Sequence, residues 1–128
     1  MDKNIELVMN ELSKTEDERL IILGKEMYPE GIGIQEGDTD ESFLEAGREM
    51  LSHLMKNINE EICMSEKIRS AFDKTLAENK PNNEENIILP LLDIISTVLS
   101  GPAVFTAAAS IIAKGISKYC SSYWAEAR

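Results

Sequence analysis

Glu45, Glu49 and His53 follow one another at four-residue steps. Residues at i and i+4 project together from a helix, so on a helix this row would have the spacing of a metal-ligand set. A di-iron bundle needs a Glu-x-x-His pair on each of two helices, and His53 is the chain's one histidine. The row therefore reads as charged helix surface. A calcium reading starts at Asp38, with Asp40 and Ser42 at loop positions 3 and 5 and Glu49 at position 12. Position 6 should be the glycine that turns such a loop, but it is Phe43, and the apolar position 8 is Glu45. Asp38 and Glu41 are better explained as cap and dipole partners of the helix that follows. No metal site and no cofactor are expected.

Catalytic arrangements fail in the same way. His53 is the one imidazole base, and no G-x-S-x-G elbow is present. Gly31, Gly33 and Gly37 do not have dinucleotide-loop spacing. Glu36, Asp38, Asp40 and Glu41 would repel a phosphate at the next helix start. The acids and hydroxyls form no constellation with a base and an oxyanion donor, so an enzyme is not expected. Cys63 and Cys120 lack metal-ligand spacing and do not look like a disulfide framework, so they are expected as buried free thiols in a reducing compartment.

The elements that carry these residues read as helices throughout. The length of 128 residues suits a single domain, 1–128. Residues 1–79 are acidic amphipathic helices, 80–86 (KPNNEEN) a linker, and 87–124 an apolar helical hairpin with a tail. Ile5, Val8, Met9 and Leu12 make one apolar stripe over about Asp2–Leu12. Thr15 and Glu18 form a capping box for a second helix that ends at Tyr28-Pro29. Gly31 to Gly37 form a connection in which Ile32 and Ile34 suit a short extended piece. A third helix spans about Glu41–Asn57, burying Phe43, Gly47, Met50, Leu51, Leu54 and Ile58. Beyond it the pattern runs on through Ile62, Cys63 and Ile68, either as one helix or as a new one capped by Ser65.

The hairpin, Ile87 to Tyr119, organises the rest. From Ile87 to Ala113 its one charge is Asp93, and Ser100-Gly101-Pro102 divides it into two arms. Ser100 or Gly101 serves as the cap of the second arm, with Pro102 at its first helical position. That arm is expected to continue through Ile116 and Tyr119. Pro90 kinks the first arm if that arm starts near Glu84 and is harmless if it starts near Leu89. An arm of thirteen residues spans about 20 Å against a hydrocarbon core of about 30 Å. Asp93 at a bilayer centre would cost roughly 2.5–3.5 kcal/mol. Burial inside a bundle is therefore the expectation. Asp93 itself is either hydrogen-bonded, paired with a base such as Lys114, or exposed on a narrow face.

The fold class expected is all-α, a single-domain bundle of five or six helices. The net charge of −10 is concentrated in residues 1–86, which hold 21 acids and 10 bases. Such a chain repels nucleic acid and anionic lipid. The N-terminus is acidic and has no continuous apolar run, which points to the cytoplasm rather than export. The expected function is a non-enzymatic protein–protein interaction or regulatory role, with self-association as a homodimer or docking of another protein through the hairpin. Its interaction residues would be Ala103, Ala107 and Ile111 on the second arm, with Tyr123 and Trp124 at its end. The alternatives are a membrane-active protein that releases the hairpin on a trigger, and a carrier of a small apolar ligand.

Overall fold

The apolar stripe from Ile5 folds as α1 (Lys3–Leu12), with Ile5 and Val8 buried. The structure, a computed structural model, describes residues 3–27, 40–78, 85–121 and 123. After α1 the capping box forms at Thr15 and Glu18. The Glu18 N–H donates to Thr15 Oγ1 at 3.1 Å, and the Thr15 N–H donates to Glu18 Oε1 at 3.0 Å. Two otherwise orphaned donors are satisfied, and α2 (Glu16–Met27) begins there. The glycine connection, the extended piece at Ile32 and Ile34, and the calcium reading from Asp38 lie outside the described residues.

The next helix, α3 (Asp40–Cys63), continues past the expected end at Asn57. No glycine or proline interrupts it there, and Ile58 and Ile62 carry the buried stripe on, both fully enclosed. Ser65 caps a separate α4 (Glu66–Glu78), accepting from the Ile68 N–H at 3.3 Å. The last two linker residues already belong to α5 (Glu85–Ile95), so Pro90 lies inside that helix and removes one backbone donor from it.

The first arm of the hairpin ends at Ile95, earlier than its apolar run suggests. Ser96 Oγ donates to the Leu92 carbonyl and Thr97 Oγ1 to the Ile94 carbonyl, each at 2.7 Å. Hydroxyls bonding back onto the last turn compete with further helix. Gly101, at φ +77°, reverses the chain. Pro102 then leads into α6 (Ala103–Lys114) with helical angles, no side chain caps the helix, and the Gly101 carbonyl accepts from the Val104 N–H at 3.2 Å. Gly115, at φ +97°, ends α6, where an unbroken helix was expected through Tyr119. A single turn, α7 (Ile116–Tyr119), follows.

The described residues thus form an all-α bundle with no strand. The hairpin is its centre: α6 touches α1, α2, α5 and α7, while α5 touches α1, α3, α4 and α6. Thr106 through Ile111 are buried without interruption, so α6 is covered on every side along that stretch. No described helix is long and apolar enough to cross a membrane.

The most extensive contact is between α2 and α3, and it depends on two glycines. A Cβ on Gly24 would stand 1.9 Å from the Phe43 carbonyl oxygen, and one on Gly47 would stand 1.8 Å from the Leu20 carbonyl oxygen. Both obstacles are backbone atoms, which cannot rotate aside. An interior Gly→Ala change normally gains a helix about 1 kcal/mol. Here overpacking dominates. Gly47→Ala should lower stability by at least about 3 kcal/mol in urea unfolding, the upper end of the usual overpacking range.

The capping box also makes a pH prediction. The Thr15 backbone and side chain hold the Glu18 carboxyl below its ordinary pKa of 4.5. Its contribution is therefore fully present above that ordinary value and is lost as pH falls through the lowered one. The destabilisation caused by Glu18→Ala, read as a shift in thermal midpoint, should be larger at pH 7 than at pH 2.5.

Candidate functional site

The second arm's small residues are used inside the chain. Ala103 is 1% exposed, and Ala107 and Ile111 are fully buried, with Ala108 and Ala109 beside them. Small side chains at successive turns let α1, α2 and α5 approach α6 closely. Tyr123 is half-buried against the same core. Trp124 lies outside the described residues.

What the hairpin leaves at the surface is its turn end. Val98 is 52% exposed and Leu89 40%. A hollow of about 370 Å³ opens there, lined by apolar Leu89, Leu92, Leu99, Val104 and Phe105 and by polar Asn4, Asp93, Ser96 and Ser100. Asp93 is exposed at this hollow. Of the three roles open to it in the sequence, this is the surface one, because Lys114 stands 3.7 Å from Glu16 instead.

A second concave region lies between the α2–α3 pair and the α6–α7 end. It consists of two hollows of about 570 and 470 Å³ that share Glu16, Leu51, Met55, Lys114 and Tyr119. Arg48 and Lys56 of α3 line the first, and Arg19 and Lys118 line the second. Among the described lining residues Glu16 is the sole carboxylate. In a chain of net charge −10 this is a local reversal of sign.

Arg19 is 5% exposed. Its guanidinium donates to the backbone carbonyls of Lys14 and, at 3.4 Å, Glu11, which ties it to the α1–α2 turn. Its Nε has no hydrogen-bond partner, and no carboxylate of the described residues stands within ion-pair distance. The Glu11 carboxylate is engaged elsewhere. It accepts from Thr106 Oγ1 at 2.6 Å and from the Lys14 ammonium, pinning α1 to α6. The Tyr119 hydroxyl donates to the Met55 carbonyl, closing α7 onto α3, and burial pushes its pKa up.

Cys63 and Cys120 correct the sequence reading: they form a disulfide, with Cα atoms 5.3 Å apart, rather than free thiols. They are separated by 57 residues, and helix packing alone brings the end of α3 to the end of α7. The case for a reducing compartment built on free thiols goes with them, since disulfides persist mainly where conditions are oxidising. Glu45, Glu49 and His53 stand exposed on α3, and no cluster of three metal-ligating side chains forms among the described residues. The sequence reading also missed Glu11, Arg19 and the groove. Glu11 lies three residues beyond Val8 on the same helix face, which was the available signal.

Comparison with protein-family models, curated proteins and solved structures finds no match to this chain.

Both sulfurs belong to nearly enclosed residues. Closing a loop of this length stabilises by about 4 kcal/mol in the chain-entropy account. The Cys63→Ser, Cys120→Ser double variant should show a urea midpoint well below that of the oxidised wild type and close to that of the reduced wild type.

Proposed function

We propose that the chain is a non-enzymatic docking protein that presents the turn end of its hairpin to a basic, partly apolar segment of another protein. The observation that carries this reading is the hollow at Leu89, Leu92, Leu99 and Phe105 with Asp93 exposed at it. The hollow's apolar side chains can take the hydrophobic face of an amphipathic segment, while Asp93 among its polar lining selects for a base on that segment. The overall charge of −10 steers association in the same sense. Self-association through Ala103, Ala107 and Ile111 is less supported, because their side chains are buried in the monomer. Release of the hairpin into a membrane would uncover most of the core.

A leucine- and lysine-bearing amphipathic peptide tests the reading by fluorescence anisotropy. Saturable binding is expected, lost on Asp93→Lys or Leu89→Asp and not shown by a leucine- and glutamate-bearing counterpart. Binding that ignores both substitutions would remove the hollow as the docking surface. Sedimentation of the wild type reports self-association separately.

Asp93→Leu should leave stability within about 0.5 kcal/mol of wild type, as for other surface changes, while lowering solubility. A loss of several kcal/mol in urea unfolding would mean that Asp93 has a buried partner instead.

A further inference from the structure

We propose that the groove between α2–α3 and α6–α7 binds a small amphipathic carboxylate. Its head would sit at Arg19 and Lys118, and its hydrocarbon body along Leu51 and Met55. The groove shares no described lining residue with the hairpin hollow, so this site is independent of the docking reading.

The central observation is Arg19. A buried guanidinium that donates to carbonyls and has no ion-paired carboxylate is compensated only in part, by the field of Glu18, and its Nε has no hydrogen-bond partner. An anion in the adjoining hollow would give the guanidinium charge the ion-pair partner it lacks, since a carboxylate is a strong acceptor from a guanidinium. Lys118 is exposed and lines the same hollow. Lys114 contributes less, since Glu16 stands 3.7 Å from it. Arg48 also contributes less, because Glu45 and Glu49 share its outer surface.

The apolar part of the groove sets the rest of the ligand. Leu51 is 3% exposed, Met55 and Tyr119 are half-buried, and all three line both hollows, so they supply the groove's apolar surface. Ser52 and Asn59 on the first hollow are its polar margin. Each hollow falls within the range of about 300–1,000 Å³ typical of small-molecule pockets. A bare inorganic anion would leave Leu51 and Met55 uncovered, whereas a neutral hydrocarbon would leave Arg19 without an ion-pair partner. A short-chain fatty acid satisfies both.

Isothermal titration calorimetry of the oxidised full chain with octanoate tests this, with octanol and inorganic phosphate as separate probes. Octanoate should bind saturably at one site and weaken about five- to tenfold on Lys118→Gln, an exposed position whose change leaves folding intact. Arg19→Gln should abolish binding while circular dichroism shows a helical chain. Because Arg19 also ties the α1–α2 turn, Lys118→Gln is the deciding variant. The proposal is overturned if octanol binds as tightly as octanoate, if phosphate does, or if octanoate binds wild type and Lys118→Gln equally.

Discussion

Backbone meets backbone where α2 crosses α3, and much of the molecule follows from that approach. At Gly24 against Phe43 and at Gly47 against Leu20, the two backbones meet with no side chain between them. The pair then acts as one slab. α2 lies against α6, and α3 against α5, so the slab covers part of the hairpin. It also fixes the distance from Leu20 on α2 to Leu51 and Met55 on α3, and hence one wall of the basic groove.

Burial of charge is the second organising constraint. Among the described residues, two charged side chains, Glu11 and Arg19, are buried. Glu11 is satisfied by a hydroxyl from α6 and an ammonium one turn away. Arg19 is satisfied in part, by carbonyls alone. A polar group buried with incomplete partners usually reflects another demand on the site, and the adjoining hollow is the natural place to look for that demand.

Helical periodicity made most elements legible in the sequence, because each apolar stripe had one face to bury. The capping box at Thr15 and Glu18 was legible too, since its chemistry is local. Helix ends were less so. Ser96 and Thr97 stopped α5 through hydroxyl bonds to carbonyls, and Gly115 broke α6 through a backbone angle. Both depend on conformation more than on composition. Features joining distant residues were not legible at all. The Cys63–Cys120 bond, the Glu11–Thr106 contact and the proximity of Arg19 to Lys118 arise only once helices are packed. Apolar small residues at helical spacing carried no mark that distinguished an internal face from an external one, and Ala107 proved internal.

The disulfide also changes the topology of the polypeptide. Residues 63 to 120 become a covalent ring that contains α4, both arms of the hairpin and α7. A single peptide-bond cleavage anywhere inside that ring would open it without separating the chain into two molecules. The hairpin would stay tethered at both ends, through its own backbone on one side of the cut and through sulfur on the other. Lys118 and Tyr119, next to Cys120, would stay anchored to the end of α3, so one wall of the groove would keep its covalent attachment to the wall opposite.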